Sequence, residues 1–260
     1  MSTSKNNMAL PAANIVAFAA TLVVNGLANT TVFGGKTTAQ VSDLNPTLIT
    51  PAGYVFGIWG IIYTLLLVFL VYQTLPSQRD KPFIKEVSYL FILSCVLNIS
   101  WIFLWQYGYI ALSVAPIVGM LATLAAIYLR LNIGKSSAPR KEKVFVHLPF
   151  SVYFAWITVA TVACIAAAAY SAGWTKWEPA DAVWGIVALA AVLAVTLTVV
   201  ATQRDVAYGL VAIWALVGIA VRQTATPNVV YTAEIGAAIV AAATIAAVLV
   251  STLKRKKKPS

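Results

Sequence analysis

The chain has 260 residues, of which 60% are hydrophobic and only 10% are charged, and its formal net charge is +10. Soluble domains carry about 25% charged residues, so this sequence has too few charges to cover a surface in water. The composition therefore excludes an ordinary soluble domain and indicates a protein surrounded by lipid. The positive charge does not imply nucleic acid as a partner, because basic residues also gather on the cytoplasmic side of membrane proteins.

Apolar segments suited to transmembrane helices occur along the whole chain. A spanning helix needs about 20 mostly apolar residues. The sequence contains eight such segments, at 9–29, 53–74, 86–106, 108–132, 146–171, 182–202, 206–222 and 232–253. We therefore predict an all-α integral membrane protein with eight transmembrane helices. The first apolar run is long for a signal peptide, so we expect it to be retained as a helix.

The distribution of lysine and arginine predicts the orientation of these helices. If the N-terminus lies in the cytoplasm, all of the 18 basic residues except Lys36, Lys176 and Arg222 lie there too. Such a bias follows the positive-inside rule. We predict that both termini are cytoplasmic, with a basic tail at residues 254–258, and that the protein lies in a plasma (inner) membrane.

The longest loop on the outer side covers residues 30–52, between the first two helices. Its paired glycines and its prolines predict an irregular conformation. Ordered loops of this length are more often functional than merely connecting. This loop is therefore the first candidate for a functional segment outside the helices.

The sequence lacks the residues that several kinds of catalysis and metal binding require. His147 is the only histidine, and no lysine lies near the middle of a predicted helix. The acidic residues all fall in loops or at helix ends, at Asp43, Asp80, Glu86, Glu142, Glu178, Asp181, Asp205 and Glu234. Ion and proton pathways usually place ionisable groups inside the membrane. We identify no catalytic residue and no metal ligand, and the sequence disfavours an acid–base enzyme.

Aromatic and amide side chains recur at helical spacing in three of the predicted helices. Residues three, four and seven apart share one helix face. The stripes are Phe56, Trp59 and Tyr63 in the second helix, Asn98, Trp101 and Trp105 in the third, and Pro149, Tyr153, Trp156 and Ala160 in the fifth. Tryptophan and tyrosine also gather at membrane surfaces, which would explain Trp105. An amide such as Asn98 is costly against lipid, so the stripes favour one shared, apolar pocket for a flat hydrophobic ligand.

Three stretches resemble the TspO/MBR family, the tryptophan-rich sensory or translocator proteins. The segment TPAGYVFGIWGIIY at 50–63 is similar to the PPxWVFGPVWxxLY segment of that family. LNISWIFLW at 97–105 resembles its Asn-xx-Trp segment, and LPFSVYFAWITVA at 148–160 resembles its LPYxxWxxFA segment. The order of the three stretches and the helices that carry them agree with the family.

The resemblance implies a TspO-like five-helix core at residues 1–171, in which loop 30–52 caps the ligand. Residues 172–260 would then be a C-terminal extension of three helices with the basic tail. Family members bind porphyrins and other hydrophobic ligands, so we expect indole stacking and a hydrogen bond from Asn98. The predicted ligand-binding residues are Phe56, Trp59, Tyr63, Asn98, Trp101, Tyr153, Trp156 and Ala160.

These expectations favour a membrane receptor or sensor for a tetrapyrrole, with no certain cofactor. A transporter or flippase for a hydrophobic solute is the first alternative, and it draws on a weak similarity between 51–58 and 179–186. A membrane enzyme that modifies the ligand is the second. The expected partners are membrane lipid and a hydrophobic small molecule, without nucleic acid, and a homodimer is left open.

Overall fold

The computed structural model describes residues 9–175 and 181–256, and these residues form helices and connecting segments without a strand. The helices are α1 (Ala9–Ala28), α2 (Thr38–Leu44), α3 (Ile58–Thr74), α4 (Pro82–Val87), α5 (Leu90–Gln106), α6 (Ile110–Arg130), α7 (Arg140–Glu142), α8 (Leu148–Ser171), α9 (Ala182–Gln203), α10 (Val206–Arg222) and α11 (Pro227–Lys256). The 3-10 turns Gly53–Gly57 and Pro76–Gln78 and the π-helical turn Lys143–His147 complete these elements.

Each of the eight predicted segments coincides with an apolar helix. Within the described ranges, six helical stretches are long and apolar enough to cross a membrane, and the apolar helices α5 and α10 have 17 residues each. The third segment begins later than predicted. Ser88 takes a positive φ of 48° with an extended ψ of −146°, which ends α4 at Val87 and lets α5 begin at Leu90.

Five helices close into a ring, in the order α1, α3, α8, α6, α5 and back to α1. Buried amides join α1 to its two neighbours. Asn14 Nδ2 donates to Gln73 Oε1 on α3 (3.1 Å), and Asn25 Nδ2 donates to Asn98 Oδ1 on α5 (2.7 Å). Polar groups in lipid are stabilised by partners on other helices. The helix α1 is therefore a wall of the bundle, fixed at two depths.

The last three long helices lie outside this ring: α9 and α10 pack against α8, and α11 packs against α9 and α10. Helix α10 contacts α8, α9 and α11, and its Tyr208 hydroxyl donates to Thr158 Oγ1 on α8 (2.7 Å). A second apolar core lies among α9, α10 and α11, and it includes Leu48 and Ile49 from the long loop. The loop between α1 and α3 is therefore anchored in the C-terminal helices.

The long loop is more regular than the sequence predicted, because it contains the helix α2. Thr37 Oγ1 accepts from the Gln40 backbone N–H, and Gln40 Oε1 accepts from the Thr37 N–H, which forms a capping box. Gly34 holds the preceding turn with a positive φ of 64°. A β-carbon at this position would run into the carbonyl of Gln106, so glycine is required for the loop to lie on the end of α5.

Some predicted features fall outside the described residues. They include Lys5, Lys176, the last residues of the basic tail, and the first two residues of the segment at 179–186. The orientation predicted from these lysines stays a prediction.

Gly218 lets the turn before α3 lie directly on α10. Its carbonyl accepts from the Ala52 N–H at 3.0 Å, and a β-carbon at 218 would run into Val55. We expect Gly218→Val to lower the free energy of unfolding by about 1–3 kcal/mol, because the added atoms overpack this contact. Gly60→Val is the matched control, since no atom lies within 4 Å of a β-carbon built at that exposed helical position.

Thermal unfolding of both variants in detergent tests this expectation. A melting temperature for Gly218→Val equal to that of the wild type and of Gly60→Val would contradict it.

Candidate ligand-binding site

Indole rings from three helices meet inside the bundle. The ring centroid of Trp59 on α3 lies 6.3 Å from that of Trp101 on α5 and 6.2 Å from that of Trp156 on α8. Tyr63 stacks on Trp59 at 5.4 Å, and Tyr153 meets its edge at 6.1 Å. Aromatic pairs at these separations attract one another beyond the burial of their surface. Trp59 is therefore the centre of one inward-facing cluster.

A small, partly open cavity of about 50 Å³ adjoins this cluster. Five of the eight predicted ligand-binding residues line it, namely Phe56, Trp59, Trp101, Trp156 and Ala160. Its wall is mostly apolar carbon. The helix stripes read from the sequence therefore do share one space, as expected for a common pocket.

The other three predicted residues, Tyr63, Asn98 and Tyr153, do not line the cavity. The Asn98 side chain is fully buried and is used between helices: its Oδ1 accepts from Asn25 (2.7 Å), and its Nδ2 donates to the Tyr153 hydroxyl (3.4 Å). The Tyr153 hydroxyl in turn donates to Met120 Sδ on α6 (3.0 Å). In this arrangement the expected hydrogen bond from Asn98 to a ligand is replaced by a network that joins α1, α5, α6 and α8.

Two indole N–H groups in the cavity wall lack a hydrogen bond. Trp156 is 3% exposed and its Nε1 has no partner among the described residues. Trp101 Nε1 makes no hydrogen bond either, and the group near it is the thiol of Cys164, a weak acceptor. A buried indole N–H normally has an acceptor. Two buried donors in residues of the cavity wall are therefore left without an acceptor among the described residues.

Sequence reasoning missed part of this wall. Trp105 was assigned to a membrane-surface belt, but it is 5% exposed, lines the cavity, and donates from Nε1 to the Thr38 carbonyl (3.1 Å). Its spacing of four residues from Trp101 was the available signal. Ala163 and Ala167, which follow Ala160 on one face of α8, also line the cavity. Small side chains there leave this part of the α8 wall without large rings, a property that an alanine-rich sequence hides.

The segment 42–51 closes the cavity from the loop side. Ser42, Asn45, Ile49, Thr50 and Pro51 line it. This loop is where the resemblance placed a ligand cap.

Helix α10 holds this cap in place. Gln223, directly after α10, donates from Nε2 to the carbonyls of Thr47 and Thr50, each at 2.9 Å. Arg222 forms an ion pair with Asp43 of α2 at 2.8 Å. The C-terminal helices and the cap are therefore one connected structure.

Comparison with protein families gives a match to TSPO-like proteins over residues 11–246. The chain belongs to the TSPO-like protein family. The match confirms the resemblance seen in the three sequence stretches, and it includes α9, α10 and much of α11. It also agrees with the helical, membrane-embedded fold of this TSPO-like protein. Comparisons with curated proteins and with solved structures gave no match.

The Asn25–Asn98 pair should stabilise the bundle. We expect Asn25→Ala and Asn98→Ala each to destabilise the protein, with a coupling free energy of about 0.6–1.7 kcal/mol between them. A double-mutant cycle of unfolding in detergent, with the two single variants and the double variant, measures this coupling. A coupling of zero would show that the 2.7 Å contact carries no energy.

Proposed function

We propose that this TSPO-like protein is a membrane receptor or sensor that binds a flat hydrophobic ligand, a tetrapyrrole such as protoporphyrin, in the cavity beneath the cap. The observation that carries the proposal is the meeting of Trp59, Trp101 and Trp156 around one cavity. Indole faces stack on flat conjugated rings. The unpartnered N–H of Trp156 could donate to a ligand carboxylate or ring nitrogen.

The cavity must widen for such a ligand to fit. Its volume is about 50 Å³, whereas pockets for drug-sized ligands occupy about 300–1,000 Å³. The cap is the wall that can move, because the other walls are helices packed into the ring. Ligand binding is therefore coupled to displacement of residues 37–52.

The membrane topology belongs to the same proposal. Helix α5 joins the 21-residue α6 through Tyr107–Tyr109, and α10 joins the 22-residue α9 through Arg204–Asp205. Two antiparallel helices joined by a tight turn cross the same thickness of the membrane. A helix of 17 residues spans about 25 Å. Eight crossings with both termini in the cytoplasm of a plasma (inner) membrane fit these lengths and the basic residues. The cap then faces the outer side.

Protoporphyrin should quench the tryptophan fluorescence of the purified protein with saturation. We expect Trp156→Phe and Ala160→Phe each to weaken binding about 10-fold, the first by removing a donor and the second by filling the cavity. Trp174→Phe and Ile165→Phe are matched controls, since both side chains are exposed and neither lines this cavity.

The titration includes a sterol as a comparison ligand. Equal affinity of all four variants for protoporphyrin would remove the pocket from the proposal. Flux of labelled porphyrin into proteoliposomes would assign the site to a transporter, and a chemically altered porphyrin after incubation with light and oxygen would assign it to an enzyme.

Loosening the cap should speed binding. Gln223→Ala removes two hydrogen bonds to the cap, each worth about 0.5–1.5 kcal/mol. We expect the association rate constant of protoporphyrin to rise about 10-fold, because the open form becomes more populated. Stopped-flow fluorescence measures this rate. Gln78→Ala is the control, because it removes another glutamine side chain that lies outside the cap. An unchanged rate in Gln223→Ala would mean that the ligand does not pass the cap.

A further inference from the structure

A second cleft, of about 350 Å³, lies toward the start of α8, away from the capped cavity. On α8, Ser151 is the last residue that lines this cleft and Trp156 is the first that lines the cavity, so the two linings are about 8 Å apart along the helix. The cleft is bounded by the turn between α9 and α10 and by the connection after α6. Lys143 and Arg204 stand exposed at its rim, and His147 is buried in its wall.

The floor of the cleft contains a buried carboxylate whose oxygens are already engaged. Asp205 is 7% exposed, and its Oδ2 accepts from the hydroxyls of Tyr128 (2.9 Å) and Ser151 (2.6 Å). Its Oδ1 accepts from the Tyr208 backbone N–H (3.2 Å), which caps α10. Three hydrogen-bond donors therefore stabilise this carboxylate from within the protein. Together with Lys143 and Arg204 it gives the lining of the cleft two positive charges and one negative charge, so a net positive charge is left to attract an anion.

An apolar groove of about 450 Å³ continues from the cleft along the side of the bundle. Leu148 and Ala207 line both the cleft and the groove. The groove lies among α3, α8 and α10 and reaches Trp214, seven residues beyond Ala207, so it extends for about 10 Å along α10. A polar, cationic end thus opens directly into an apolar channel on the lipid-facing surface.

We propose that the cleft and the groove together bind one anionic glycerophospholipid. Its phosphate lies between Lys143 and Arg204, and one acyl chain lies in the groove against Leu210 and Trp214. The two rim charges select an anionic headgroup, because basic pockets between membrane helices bind such headgroups. A free anion would leave the apolar groove unfilled, and a sterol would leave the two cations without a partner. This site is separate from the tetrapyrrole site and does not depend on it.

Native mass spectrometry of the full chain in detergent, with equal amounts of phosphatidylglycerol and phosphatidylcholine, tests the proposal. We expect phosphatidylglycerol to be retained preferentially. Lys143→Gln with Arg204→Asn should lower its affinity about 25-fold, or about five-fold for each charge removed. Asparagine is chosen at 204 because the backbone there is left-handed (φ 56°).

Two further variants separate specific binding from general attraction. Lys81→Gln with Lys85→Gln removes the same charge at residues that line neither cleft nor groove, and it should leave retention unchanged. Ala207→Phe should lower retention by blocking the junction. Lys143→Gln alone, at an exposed position, keeps the test decisive if the double variant misfolds.

Three results would overturn the proposal. Equal retention of the two lipids would leave only an apolar groove, and equal losses in the two charge variants would mean attraction without a site. Displacement of phosphatidylglycerol by excess inorganic phosphate would assign the cleft to a free anion. None of these measurements uses protoporphyrin, so their outcome is independent of the capped cavity.

Discussion

The hydrogen-bond network around Asn98 sets the geometry of the tryptophan cluster and of the cavity beside it. An amide inside a membrane protein must find its partners on neighbouring helices, because lipid offers none. Asn98 does so by joining α1 through Asn25 and α8 through Tyr153. This fixes the rotation of α5, so Trp101, three residues later, turns inward. It fixes α8 in the same way, so Trp156, three residues after Tyr153, faces the same space. The aromatic cluster follows from a polar contact that lies outside the cavity.

The C-terminal helices give the cap a surface to rest on. Leu48 and Ile49 are both buried, and they belong to the apolar core that α9, α10 and α11 build beside α8. Gly218 supports the same arrangement, because it lets the chain before α3 approach α10 closely. The predicted division into a five-helix core and a C-terminal extension follows the order of the chain. The contacts, in contrast, join the extension to the cap over the cavity. This connection gives the last three helices a structural part in closing the cavity.

Apolar periodicity was enough to locate the eight helices, because each is a long uninterrupted run. Helical spacing also identified the inward faces that carry Trp59, Trp101 and Trp156. Spacing gives a face but no partner, so it did not indicate the hydrogen bond between Asn98 and Asn25. For the same reason Trp105 was predicted to lie at the membrane surface, because its acceptor, the Thr38 carbonyl, is supplied only by the folded loop. The helix α2 could have been found from its Thr37 and Gln40 capping pair, while the small cavity volume depends on packing that no sequence pattern encodes.

The contacts of the cap hold both of its ends. Burial of Leu48 and Ile49 stabilises the cap by about 1.5–3 kcal/mol for each side chain. The half-exposed ion pair between Asp43 and Arg222 contributes only about 0–1 kcal/mol. Helix α2 is nevertheless held against α5, because Val41 is buried in the main apolar core and the Thr38 carbonyl accepts from Trp105 Nε1. Displacing the cap would therefore break apolar contacts at both ends as well as the hydrogen bonds from Gln223.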